Sequence, residues 1–178
     1  MSGPEAIRGA SDGDDGAASP AQTAAVGPDI LELPFDAEVP TAEDMHELGI
    51  RFAGLLRAGD LVVLDGPLGA GKTTLSRGIG EGLGIRGPVT SPTFVLARTH
   101  PSLVGGPPLV HVDAYRLGSA LELDDLDIDF ERSVVVVEWG SGMLDGVADV
   151  WYEVRIERPT DVRRVRIVRR AAQAASAE

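Results

Sequence analysis

The stretch that most restricts this chain is Gly66-Pro67-Leu68-Gly69-Ala70-Gly71-Lys72-Thr73-Thr74. It matches G-x-x-x-x-G-K-[ST], a phosphate-binding loop, and it has the flanks that such a loop needs. Leu61-Val62-Val63-Leu64 before it is a short apolar run, as a buried strand would be. Leu75, Ile79 and Leu83 after it recur every four residues, as on one face of a helix. In a strand–loop–helix unit of this kind, glycines let successive N–H groups converge on one anion, and the helix start adds its positive dipole end. Lys72 supplies a mobile charge for β- and γ-phosphates, and the Thr73 hydroxyl can ligate Mg²⁺. Of the 16 basic residues, Lys72 is the only lysine. It stands where a compact ammonium suits better than a planar guanidinium.

The chain has 178 residues, enough for one domain. Without cysteine it has no disulfide framework, thiolate metal site or cysteine nucleophile. A net charge of -12 argues against direct gripping of nucleic acid by its phosphates. No apolar run reaches transmembrane length and the N-terminus lacks a signal-peptide pattern, so a cytoplasmic protein is expected.

Residues 1–29, rich in Gly, Ala, Ser, Asp and Pro, read as a disordered extension. Residues 30–170 read as the domain, and alanine-rich 171–178 as a frayed tail. A first strand is expected from Ile30 to Phe35. Thr41 can cap a helix, with Asp44 three residues on, and Met45, Leu48, Phe52 and Leu55 follow at helical spacing until Gly59. Gly78, Gly80 and Gly82 lie in the helix after the loop, where each costs about 1 kcal/mol against alanine. Either that helix packs very closely or it ends early.

Ser91 and Thr93 flank Pro92, which favours an extended Ser91 ahead of a strand at Phe94–Ala97. Their hydroxyls either reach toward a γ-phosphate or belong to an ordinary turn. Leu109–Val112 is a strand ending at Asp113, and His111 inside it reads as a core or surface residue rather than a ligand. Glu122–Glu131 holds six acidic residues among large apolar ones, a solvated acidic face without the spacing of a calcium loop. Val134–Val137 is a strand buried on both faces, ending in Glu138-Trp139. Asp149–Glu157 and Val162–Val168 form an antiparallel hairpin expected at the sheet edge. The seven arginines from Arg155 to Arg170 fall mostly on its solvated face.

The fold class is therefore a single P-loop α/β domain, its central sheet mostly parallel with an antiparallel edge hairpin. In such sheets ligands bind beyond the carboxyl ends of the strands. The loop 66–74, Asp113 and Glu138 all fall at strand ends. Mg²⁺ needs only a hydroxyl and one or two carboxylates besides phosphate and water. Spacing leaves open which acid holds metal and which orients water.

Four motifs then occur in order: residues Gly66–Gly78, Ser91-Pro-Thr-Phe94, His111-Val-Asp-Ala-Tyr-Arg-Leu117 and Val137-Glu-Trp-Gly140. Together they resemble the bacterial TsaE (YjeE) family, the small ATPase of tRNA threonylcarbamoyladenosine synthesis. The resemblance implies ATP (or ADP) and Mg²⁺ as ligands. It also implies docking onto the TsaD–TsaB complex, which modifies adenosine 37 of certain tRNAs, so that tRNA is met only indirectly. Hydrolysis in that family supports repeated turnover.

Carried over by residue, Gly66, Leu68, Gly69, Ala70, Gly71, Lys72, Thr73 and Thr74 hold phosphates. Thr73 and Glu138 ligate magnesium, and Asp113 lies near the attacking water. Ser91 and Thr93 form a switch-like segment. Trp139 packs at the nucleotide, at a partner surface or in the core, and Thr41 is offered for the adenine side. Departures from the family pattern are the 1–29 extension and Asp127, where a glycine is common.

Two other enzyme classes and one non-enzymatic class bear weighing. A GTPase would need N-K-x-D and hence a second lysine, which is absent. A small-molecule kinase would want an arginine-bearing lid, whereas Arg155–Arg170 reads as strands. A non-hydrolysing adaptor is permitted, since Asp113 and Glu138 can serve binding alone. Arg77 and Arg116 are the internal arginine-finger candidates, unless a partner supplies one.

Overall fold

The computed structural model of the protein describes residues 31–90, 96–117, 119, 122–123, 125–140 and 147–172. The expected extension at 1–29, the Ser91–Val95 part of the switch-like segment and residues 173–178 of the expected tail lie outside the described residues.

The described residues form a seven-stranded sheet in the order β1-β7-β6-β2-β5-β4-β3. The strands are β1 (Phe35–Val39), β2 (Leu61–Asp65), β3 (Ala97–His100), β4 (Leu109–Asp113), β5 (Val134–Glu138), β6 (Val150–Glu157) and β7 (Arg163–Ala171). The central strands β4, β5, β2 and β6 pair in parallel, while β3 and β7 run against their neighbours. The valine run explains the centre. Val134 and Val136 pack into one core and Val135 and Val137 into the other, so both faces of the valine run are apolar.

Helices α1 (Ala42–Ala53) and α2 (Lys72–Gly82) cover one face. Thr41 caps α1 in a capping box, its hydroxyl accepting the Asp44 N–H while Asp44 accepts the Thr41 N–H. Met45, Leu48 and Phe52 are buried beneath α1. The helix stops at Ala53, earlier than the expected Gly59, and a turn at Gly54–Leu55 follows, where Arg57 donates to the Gly54 and Leu56 carbonyls. The glycines of α2 resolve as close packing. A Cβ on Gly82 would lie 2.6 Å from Ala53 Cβ, and one on Gly78 would strike the His46 carbonyl. Leu117, Leu123, Leu126, Ile128 and Phe130 cover the other face of β2, β4 and β5. Described acids Glu122, Asp125, Asp127, Asp129 and Glu131 stay exposed between them. Asp127 takes φ of +52°, the left-handed conformation a glycine would adopt and one that aspartate tolerates.

Several strand limits differ from the sequence reading. The first strand is Phe35–Val39, not Ile30–Phe35. Pro34 has no N–H to donate, so pairing starts after it, and Leu31 packs into the core without joining the ladder. Strand β3 begins at Ala97, where Phe94–Ala97 was expected, with Phe94 and Val95 outside the described residues. The β6–β7 hairpin is not at the edge. β6 lies against β2, and β1 returns to cover β7, matching Phe35, Ala37 and Val39 to Ile167, Val165 and Arg163. β7 also continues to Ala171, one residue past the expected domain end.

Candidate functional site

The loop after β2 is shaped by two glycines. Gly66 has φ of +156°, and a Cβ there would come within 2.6 Å of the Ile156 carbonyl on the neighbouring strand. Gly71 caps α2 at φ of +111°, which side-chain-bearing residues rarely adopt. The loop is closed by the Ala70 N–H donating to the Pro67 carbonyl at 3.1 Å. Because Gly71 has no side chain to cap α2, the first N–H groups of that helix are free to meet an anion.

Lys72 opens α2 and turns back under the loop. Its ammonium donates to the carbonyls of Gly66 (2.6 Å) and Pro67 (3.1 Å) and lies 3.7 Å from the centre of the Trp139 ring. The side chain is 5% exposed. Desolvation pulls its pKa below the ordinary lysine value, opposed by the negative charges of Glu138, Asp65 and Asp113. Arg163 closes the other side, donating from Nε to the Ala70 carbonyl at 2.9 Å.

The two acids come from the tips of adjacent parallel strands, with Asp113 and Glu138 in register. Glu138 is 4% exposed, and its Oε1 lies 2.9 Å from Nε2 of the wholly buried His111. Asp113 accepts the Tyr115 N–H at 3.0 Å and so starts the short 3₁₀ turn Ala114–Arg116. That turn sets the Tyr115 ring edge-on to Trp139, 5.6 Å between centres. Trp139 itself has φ of +63°, an uncommon conformation for an aromatic residue. Its N–H still donates to the Leu64 carbonyl.

Leu68 through Thr74, Asp113, Tyr115, Glu138, Trp139 and Arg163 line one cleft of about 690 Å³. Gly66 sits behind it, reaching it through its bond to Lys72. Thr41 is not on the cleft wall; its hydroxyl is engaged with Asp44 as the α1 cap. Ser91 and Thr93 fall outside the described residues. Arg77 donates to the Val89 carbonyl, and neither Arg77 nor Arg116 lines the cleft.

Three residues of this neighbourhood were missed in the sequence. Arg163 was grouped with the solvated arginines. Its alternation with Val165 and Ile167, which are buried on the helix side, is the signal that separates it from Arg164 and Arg166. Tyr115 lay inside the quoted motif without a role. His111 is buried as expected of a core residue, but it also bonds an acid of the site.

Fold and cleft together define a single P-loop α/β domain with a mostly parallel sheet. The family model for threonylcarbamoyl adenosine biosynthesis protein TsaE matches residues 39–166, and the chain belongs to that family. It is 64% identical over 117 residues to the tRNA threonylcarbamoyladenosine biosynthesis protein TsaE of Streptomyces coelicolor, covering 64% of this chain and 79% of that one. With the TsaE of Mycobacterium tuberculosis it shares 53% over 131 residues, 68% of this chain and 78% of that one. The crystal structure of Bacillus subtilis YdiB aligns with a TM-score of 0.60 at 29% identity, covering 75% of this chain and 83% of that one.

Proposed function

We propose that the protein is a Mg²⁺-dependent ATPase of tRNA threonylcarbamoyladenosine synthesis, acting in the cytoplasm with the TsaD–TsaB complex. Its relatives carry that biosynthetic role in their names. The observation that carries the nucleotide reading is the convergence of the loop, Lys72, Thr73, Asp113 and Glu138 on one cleft. Among the described residues no helix is long and apolar enough to cross a membrane.

The donor set fits magnesium. Thr73, Asp113 and Glu138 offer only hard oxygen ligands, as Mg²⁺ requires. No group of three or more acids, histidines or cysteines among the described residues could hold a metal by itself. That suits an ion that arrives with phosphate and keeps several waters. In this reading Thr73 and Glu138 hold the ion, which when bound offsets charge on the phosphate oxygens. The backbone N–H groups of residues 69–74 cradle the phosphates. Lys72 exchanges its loop carbonyls for phosphate oxygens. Asp113 orients a water, and Trp139 and Tyr115 line the cleft beside it.

Arg163 is the one described arginine on the cleft wall, and its Nε donates to the Ala70 carbonyl beside the loop, while Arg77 donates to the Val89 carbonyl. In this reading the arginine that completes charge neutralisation comes from the partner complex, and hydrolysis by the isolated protein is expected to be slow. Phosphate release should be measured for wild type and Asp113→Ala, each with and without TsaD–TsaB. Slow release that rises with the partners and is lost in Asp113→Ala supports the reading. Zero release throughout would leave a non-hydrolysing adaptor, and phosphate transfer to a metabolite would mean a kinase.

A further inference from the structure

His111 is fully buried, yet its only hydrogen bond among the described residues runs from Nε2 to Glu138 Oε1, at 2.9 Å. Nδ1 is buried with no partner among the described residues. Burying an imidazole costs free energy that apolar side chains of similar size would not incur. The neighbours Leu109 and Val136 show that this face of β4 and β5 is otherwise filled with such side chains. The register explains the contact. His111 stands opposite Val136 and Asp113 opposite Glu138, so His111 and Glu138 are diagonal neighbours on one face of a parallel pair. With Glu138 as a carboxylate, Nε2 is the donor and Oε1 the acceptor of this bond. Glu138 lines the cleft, and the His111 contact ties down its Oε1.

We infer that His111 is a positioning residue: it holds the Glu138 carboxylate in the single orientation from which it can take magnesium. The inference rests on the proposed Mg²⁺–nucleotide reading of the cleft. Ligating carboxylates are commonly fixed by such outer partners, whose removal costs about 10- to 100-fold in metal affinity.

The test compares His111→Gln with His111→Asn in the full-length protein. A glutamine amide can place N–H near the position of Nε2, whereas asparagine is too short to reach Glu138. Affinity for ADP is measured by calorimetry in EDTA and across a Mg²⁺ titration. His111→Asn is expected to need about 10- to 100-fold more Mg²⁺ for half of the full enhancement, with the metal-free affinity within about twofold of wild type. His111→Gln should recover most of the loss. In the Glu138→Ala background the asparagine substitution should add nothing, because its target is gone. A purely structural histidine would give equal losses for Asn and Gln, or losses that persist without Glu138; either result overturns the inference. So does a wild-type Mg²⁺ requirement in His111→Asn. If wild type itself binds no ADP at any Mg²⁺ concentration, the nucleotide reading has failed and the inference falls with it. If both histidine variants fail to fold, His111 is required by the core as such and the positioning role is rejected.

Discussion

Lys72 spends its charge inside the protein. Two loop carbonyls and the face of Trp139 hold the ammonium, and burial lowers its pKa. A triphosphate offers it fully charged acceptors, so its exchange from carbonyl to phosphate is downhill once the anion enters. Lys72→Ala should weaken ATP binding by about 10- to 100-fold, since hydrogen bonds to charged groups are worth about 1.5–3 kcal/mol. Calorimetry checks this, and unchanged affinity would mean that the loop does not cradle phosphate. The same movement should be visible in Trp139. In a Trp151→Phe background, where Trp139 is the sole remaining tryptophan, adding Mg-ATP should change the indole emission as the cation leaves its ring. Emission that stays constant at saturating nucleotide would show Lys72 unmoved. At this scale Lys72 was legible as the one lysine in a glycine loop. Trp139 was named for the site, but its contact with Lys72 was not legible, because they lie 67 positions apart in a chain whose folding alone sets that contact.

The helix pair shows how an element's composition can mislead. Glycines in α2 cost helix propensity of about 1 kcal/mol each, which read alone suggests a short or frayed helix. In the fold they let α1 and α2 touch backbone to backbone at Gly49, Gly78 and Gly82. Gly78→Ala should therefore destabilise the protein despite the propensity gain. The added Cβ meets the His46 carbonyl, a backbone atom that cannot rotate away, and overpacking of this kind costs about 1–3 kcal/mol. The midpoint of urea unfolding should fall, and a higher midpoint would mean the helices separate without penalty. Because α2 carries Lys72 and Thr73 at its start, its seating on α1 also sets the height of the phosphate loop. The α1 cap, by contrast, was readable directly, since a capping box is satisfied by residues three apart.

Across the whole molecule, the sheet gathers groups that the chain keeps apart. His100 on the edge strand is 6% exposed and lies near His111 and Arg98. Desolvation first, then the His111 and Arg98 charges, hold its pKa below 6.5, against a smaller opposing bond to the Arg86 backbone. The unfolded chain accordingly takes up a proton as the pH falls through 6.5 while the folded protein resists it. Stability is fully present above that pH and is lost below it, until the folded pKa is reached. His100→Gln should flatten the pH dependence of the melting temperature in that window relative to wild type, and identical slopes would remove His100 as the cause.

What the amino-acid order settled unaided is local chemistry: the glycine loop, the lysine and hydroxyl after it, the strands that bury both faces, and acids at their tips. Those signals lie within a few residues of one another, where spacing maps directly onto geometry. Which strand lies beside which was decided only in three dimensions. So were the placement of β7 inside the sheet, the Arg163 bond to a carbonyl 93 positions away, and the His111 bond to a carboxylate 27 positions away. Such contacts depend on register between distant strands, and register follows from how the whole core packs rather than from any one segment.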